Sequence, residues 1–290
     1  MRIPRTAAAT LLTALTALCI APRAARAVQT IPFTEVNGGL IQVQGSVDGR
    51  APVPVLIDLG AGVDVLSTEL GRQFVLVSGK YVSLRLTGER VDLPIGTIVS
   101  LAIGGVPIDA PHVGVWSGLD GSGIAGLVSA TAFRNIATTF DFRNHQVIIE
   151  DAQSFPERER AAERVPLMLQ DDLGIALGIF ARFDFGNGKT GLCEIDTGSQ
   201  GIMIDKSLAP SLGVNLSDPG LQHVRAQSGD QVKARIPAIS FVGLPNTTIE
   251  QPNVTFANLI YDCNVGNAFW ARRIFTIDLQ NRALYVATAG

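Results

Sequence analysis

The chain has 290 residues, 47% hydrophobic and 17% charged, with 30 glycines and 15 prolines, which suits a folded globular protein of one large or two modest domains. Setting aside the four arginines before residue 28, 19 basic groups face 26 acidic ones, a net charge of −7; so little basic surface argues against nucleic-acid or anionic-membrane partners. Three scattered histidines and no Cys-x-x-Cys or His-x-x-x-His spacing argue against a zinc site, and no motif calls for a cofactor.

Arg2 and Arg5 precede the apolar run TAAATLLTALTALCI, and Ala25-Arg26-Ala27 follows. A basic start, a short apolar stretch and an Ala-x-Ala site predict a signal peptide over residues 1–27 and export to the periplasm or the exterior. The run is too short to span a bilayer, so no membrane association is expected after cleavage.

Beyond it the chain reads mostly as strands. LIQVQGSV, VPVLID, YVSLRL, HVGVW, HQVIIE, FARFDF and RALYV are short, rich in β-branched or aromatic residues and separated by Gly, Pro, Asp and Asn. Helical periodicity is scarce: STELGRQF, FPERERAAER and DKSLAPSL each suit a turn or two.

The two halves repeat. IQVQGSVDGRAPVPVLIDLGAGVDVLSTEL aligns with LGIFARFDFGNGKTGLCEIDTGSQGIMIDKSL, and RLTGERV with AQSGDQV. GIAGLVSATAFRNIATTFDFRNHQVII aligns with CNVGNAFWARRIFTIDLQNRALYV. The offset is 138 from Asp58 to Asp196, 141 from Gly88 to Gly229, 140 from Gly126 to Gly266 and 137 from Asp141 to Asp278. Ordered landmarks at nearly constant offset predict two homologous lobes, 28–150 and 166–290, joined by a charged, helix-bearing linker at 151–165.

With the repeated Asp-x-Gly loops and the later apolar-apolar-Gly motifs in view, the chain resembles the aspartic proteases of the pepsin and retropepsin superfamily. Leu192-Cys193-Glu194-Ile195-Asp196-Thr197-Gly198-Ser199 carries the first element; Gly123-Ile124-Ala125-Gly126 and Asn264-Val265-Gly266 carry the second. The resemblance implies an all-β protein of two closed, barrel-like lobes facing each other across a cleft, with few short helices. It implies a catalytic pair, Asp58 and Asp196, which share one proton because two adjacent carboxylates resist ionising together. One activates a water; the other protonates the carbonyl oxygen of a polypeptide substrate. Gly60, Ala61, Thr197, Gly198 and Ser199 would shape the supporting loops, with the Ser199 hydroxyl on the outer oxygen of its Asp. Each lobe bears its own Gly-tipped hairpin, Thr87-Gly88-Glu89 and Ser228-Gly229-Asp230, as a flap over the substrate. That is closer to a fused retropepsin-like dimer than to single-flapped pepsin. Two fused lobes already complete a site, so a monomer suffices.

Lobe 1 departs from the pattern. Leu59 stands where the family has a hydroxyl that clasps its counterpart across the lobes, so Thr197 is expected to lack its mate unless a carbonyl or water takes it. An exported endopeptidase is therefore the leading expectation, and a weakened or inactive relative that binds extended peptides is the alternative. Of the remaining acids, Asp64 and Asp205 are expected at helix starts or on the surface, Asp141 and Asp278 in turns or pairs near strand ends, and Glu194 paired with an Arg or Lys. Cys193 and Cys263, which the resemblance places side by side, form either a disulfide or two buried thiols.

Overall fold

The structure, a computed structural model, describes residues 27–226 and 229–287. The expected signal peptide, apart from Ala27, and Ser228 of the second flap therefore lie outside the described residues. Strand formation follows the apolar segments closely. LIQVQGSV is the strand Leu40–Val47, whose residues alternate between core and outer face as a pleated strand requires. STELGRQF gives the helix Thr68–Phe74, with the Ser67 hydroxyl accepting from the Leu70 N–H at its start. DKSLAPSL gives the 3-10 helix Lys206–Leu212, capped by Asp205 accepting from the Ser207 N–H.

Three sheets build the molecule: two of ten strands, one in each half, and one of six strands between them. The closed barrels expected of each lobe do not form. Each ten-stranded sheet runs along an open path, in lobe 1 from the hairpin strand Leu76–Leu84 to the strand Val106–Ile108. Closure would require those two edges to pair, but Leu76–Leu84 projects as half of a long hairpin and is largely exposed.

The six-stranded sheet takes three strands from each half of the chain. At its centre Thr138–Asp141 runs antiparallel to Ile274–Asp278, with Thr139 opposite Thr276 and their hydroxyls 2.6 Å apart. These two threonines stand 137 residues apart, the offset of the repeat, so the pseudo-twofold axis relating the halves passes between them. Phe140 and Phe275 stack beside it at 5.0 Å, and Trp270 packs on Phe275 at 4.4 Å. One continuous apolar core thus runs from lobe 1 into lobe 2. The charged segment at 151–165 holds the helix Ser154–Arg160, and its last residues already belong to the strand Ala162–Pro166 of this sheet.

Strand register also revises one landmark of the repeat. In lobe 1 the strand Val53–Ile57 pairs in parallel with Gly126–Val128; in lobe 2 Thr190–Ile195 pairs in parallel with Cys263–Val265. The Asp58 N–H donates to the Val128 carbonyl and the Asp196 N–H to the Val265 carbonyl. The counterpart of Gly266 is therefore Ser129, not Gly126. Gly126 is small for another reason: a Cβ there would lie 2.8 Å from the Val65 carbonyl oxygen.

Candidate active site

Two buried strands deliver the two aspartates. Val55 and Ile57 anchor the first in the core, Cys193 and Ile195 the second, and each Asp follows at the strand end with its side chain half-buried. Past each Asp the chain turns back, so that the Gly60 N–H donates to Asp58 Oδ1 at 3.0 Å and the Gly198 N–H to Asp196 Oδ1 at 2.7 Å. The turns interlock. A Cβ on Gly60 would lie 2.5 Å from Asp196 Cγ, and one on Gly198 would lie 2.2 Å from Asp58 Cγ. Only glycine lets each loop lie against the carboxyl group of the other lobe. The two carboxyl groups are thereby set side by side, near enough for Asp196 to act on Asp58.

Thr197 does not lack a mate. Its hydroxyl donates to the Ile57 carbonyl at 2.8 Å and accepts the Leu59 N–H at 3.1 Å. Both partners are main chain of lobe 1, so the clasp from this side asks nothing of the side chain at 59. Leu59 is fully buried in the shared core, and only the reciprocal hydroxyl is missing. On the other flank Asn267, at the start of the helix Asn267–Trp270, donates its amide to the Thr197 carbonyl at 2.7 Å.

Electrostatics separates the two aspartates. Burial first, then the Asp196 charge and hydrogen bond, then Glu194, push the Asp58 carboxyl well above the usual carboxylate range, with the Gly60 N–H opposing in part. Asp196 receives a second donor: Asn264 Nδ2 reaches Oδ2 at 2.7 Å. That bond takes the role foreseen for Ser199. With two donors on Asp196 against one on Asp58, and with Asp58 the raised carboxyl, the shared proton belongs on Asp58.

Among the described residues Glu194 has no cationic partner. It is buried, accepts the Tyr261 hydroxyl and, at 3.3 Å, the Asn264 amide. Burial and then the Asp196 charge push its carboxyl up to about 8. Asp64 is neither at a helix start nor on the surface. It is 1% exposed, accepting the Ser129 N–H at 2.7 Å and the Thr131 hydroxyl at 3.0 Å, and burial pushes it up to about 7. It does for Ser129 what the Gly201 carbonyl does for Gly266 in lobe 2. Asp141 and Asp278 sit at turns, accepting from Asn144 and Asn281 respectively.

The lobe 1 hairpin joins Leu76–Leu84 to Arg90–Thr97 and carries Thr87, Gly88 and Glu89 at its tip. Gly88 has φ +81°, a left-handed turn suited to glycine. The hairpin reaches lobe 2: the Ile260 N–H donates to the Leu86 carbonyl at 3.1 Å, and the Tyr81 hydroxyl to Asp172 at 2.9 Å. In lobe 2 the strands Gln222–Ala226 and Gly229–Arg235 pair as the matching hairpin, with Gly229 opposite Ala226 and Asp230 opposite Arg225. Cys193 and Cys263 form a disulfide between neighbouring strands, one residue before Glu194 and Asn264. A wide concavity lined by Thr68, Arg72, Gln73 and Asp120 lies against the Thr68–Phe74 helix, apart from the aspartates.

The sequence marks Asn264 only as part of the second motif, without its bond to Asp196, and does not mark Asn267 or Tyr261 at all. The available signal was Asn264 itself, a polar residue in a position the motif reserves for an apolar one.

No family model and no curated protein sequence matches this chain. Among solved structures it is similar to the crystal structure of basic 7S globulin from soybean, with 13% identity over 91% of this chain and 95% of that one and a TM-score of 0.56. That likeness is one of fold, of the pepsin-like kind. Among the described residues no helix is long and apolar enough to cross a membrane, and the disulfide is compatible with export.

Proposed function

We propose that this chain is an exported, monomeric, two-lobed endopeptidase of the aspartic type. The observation that carries the reading is the interlocking of Gly60 on Asp196 and Gly198 on Asp58, which sets two carboxyl groups side by side at the ends of two buried strands. Asp196, ionised and held by Gly198 and Asn264, takes a proton from a water as its oxygen attacks the peptide carbonyl carbon. Asp58 gives its proton to the carbonyl oxygen, leaving a neutral diol. The C–N bond then breaks as Asp196 passes its proton to the departing amine nitrogen and Asp58 recovers one from a diol hydroxyl. No metal or cofactor enters these steps. Thr87, Gly88 and Glu89 on one flap, with Ser228, Gly229 and Asp230 on the other, close over an extended peptide and exclude water.

A mixed peptide library incubated from pH 3 to 7 tests this. Wild type should cut it, a pepstatin-type inhibitor should block cutting, and Asp58→Asn or Asp196→Asn should each lower turnover by about 10³-fold; turnover near the wild-type level in either variant sinks the reading. Leu59 favours a second reading, in which the cleft binds an extended peptide without cutting. It predicts saturable peptide binding, no turnover at any pH, and cleavage gained by Leu59→Thr.

A further inference from the structure

The register that aligns the two lobes sets three pairs of residues in equivalent places. Leu56 faces Leu127 across parallel strands in lobe 1, as Glu194 faces Asn264 in lobe 2. Three residues before Leu127 stands Ile124; three before Asn264 stands Tyr261. In lobe 1 Leu56, Leu127 and Ile124 belong to one apolar cluster. In lobe 2 the same places hold a carboxyl, an amide and a phenol joined by hydrogen bonds. Burying polar groups is costly unless each is bonded, and lobe 1 has an apolar solution for this part of the fold. Packing therefore does not account for the polar set.

Asn264 Nδ2 donates to Asp196 Oδ2 at 2.7 Å and to Glu194 Oε2 at 3.3 Å. Its own carbonyl oxygen, Oδ1, is buried without a hydrogen-bond partner among the described residues. The amide is thus held the way that suits the two carboxyl oxygens, at the expense of its own acceptor. The Cys193–Cys263 disulfide, one residue upstream on both strands, ties Glu194 and Asn264 in register.

We propose, building on the endopeptidase reading, that Glu194 is a positioning residue which, through Asn264, fixes Asp196 as the ionised, proton-accepting member of the pair. With Glu194 present, both acceptors demand the NH₂ end of the amide. Without it, the amide is free to turn its carbonyl toward Asp196. A carbonyl dipole against a carboxylate disfavours the charge and draws the shared proton onto Asp196. The titratable and charged groups around Glu194 are few. Asp196 and Asp58 lie toward the cleft and Tyr261 on the loop; Phe180 lies opposite on the neighbouring strand. Arg182 sits next along, exposed and opposite Leu192, whose N–H donates to Asp262. Since Glu194 keeps its proton to about pH 8, glutamine is a close stand-in for it below neutrality.

The test is the pH dependence of kcat and KM on a library-derived peptide for wild type, Glu194→Gln, Glu194→Leu and Asn264→Leu. The two leucine variants should lose about 10-fold or more in kcat, with KM little changed. The acid limb of their profiles should rise by about one pH unit, as expected for a carboxylate that loses a donor. Glu194→Gln should restore both toward wild type. Limbs that stay in place while kcat falls would mean a structural role only, and failure of glutamine to rescue would mean that charge, not orientation, matters; either result overturns the proposal. A second measurement needs neither variant nor turnover. In wild-type protein the Asn264 side-chain amide, followed by ¹⁵N–¹H NMR, should shift near pH 8 as Glu194 loses its proton. An amide that does not respond there contradicts the proposal even if no peptide is ever cut, whereas an inactive wild type showing the response sinks only the endopeptidase reading.

Discussion

A methyl group at Gly198 would lie 2.2 Å from the Asp58 carboxyl carbon, and one at Gly60 would lie 2.5 Å from that of Asp196. These two positions set the spacing of the aspartates more directly than any side chain does. Gly198→Ala should displace Asp58 by enough to lower kcat/KM by on the order of 10²-fold, because an error of about 1 Å at a reacting group has that effect. Circular dichroism on the same sample would show whether the fold survives. Leu59 works in the opposite sense. Thr197 already finds the Ile57 carbonyl and the Leu59 N–H, while the Leu59 side chain fills core space. Leu59→Thr is therefore expected to cost about 2 kcal/mol in chemical denaturation, from lost apolar burial, without raising kcat/KM. A gain of 10-fold would favour the binding-only reading. The residues were unequally legible. Asp58 and Asp196 announce themselves because an Asp-x-Gly loop after an apolar run occurs twice at a fixed offset. The clasp at Thr197 does not, because both of its lobe 1 partners are main-chain groups that any residue supplies. The sequence suggests an Arg or Lys partner for Glu194 because nothing in its own strand shows that Tyr261 and Asn264 reach it from 67 and 70 residues away.

At the scale of elements, the strand Thr190–Ile195 matters most, since it carries Cys193, Glu194 and the approach to Asp196. Its disulfide to Cys263 closes a loop of sequence separation 70 and pins the parallel pairing that brings Asn264 to Asp196. Urea unfolding of Cys193→Ala/Cys263→Ala should show a loss of about 2–4 kcal/mol relative to wild type, the usual effect of opening a loop of this order. A loss below about 0.5 kcal/mol would mean the neighbouring strands hold the register unaided. Elements were the most readable level. The hydrophobic runs predicted strand positions to within a few residues, and Ser67 and Asp205 marked two helix starts by their capping side chains. Pairing was less readable. The repeat aligns Gly126 with Gly266, but Ser129 fills that place, because Asp64 supplies the acceptor that a backbone carbonyl supplies in lobe 2. Sheet closure also failed, since local pattern says nothing of whether two distant edges meet.

For the whole molecule, three raised carboxyls dominate the response to pH: Asp58, Asp64 at about 7 and Glu194 at about 8. In the unfolded chain such groups lose their protons near pH 4; in the folded protein they keep them until much higher. The folded state binds more protons through this window, so stability falls as pH rises from about 4 to 8. Asp171 and Asp205, held below the usual range, act in the opposite sense and only in acid: Arg134 and the Gly174 N–H lower Asp171, and the Leu259 and Ser207 N–H groups outweigh burial at Asp205. Thermal unfolding followed from pH 4 to 8 should show Tm highest at the acidic end, and Asp64→Asn should flatten the decline; a Tm rising toward neutrality would contradict the assigned protonation states. Because burial and the neighbouring Asp196 raise the Asp58 carboxyl, the alkaline limit of cleavage should lie above that of an ordinary carboxylate. Whether Asp58 and Asp196 work as a single proton-sharing unit is tested most directly by a double-mutant cycle in kcat/KM. Asp58→Asn and Asp196→Asn should each lower kcat/KM by about 10³-fold, with the double variant no worse than either alone, because groups that act as one unit are lost together. Losses that multiply, with the double variant near 10⁶-fold, would mean two independent carboxylates and would contradict the shared-proton site.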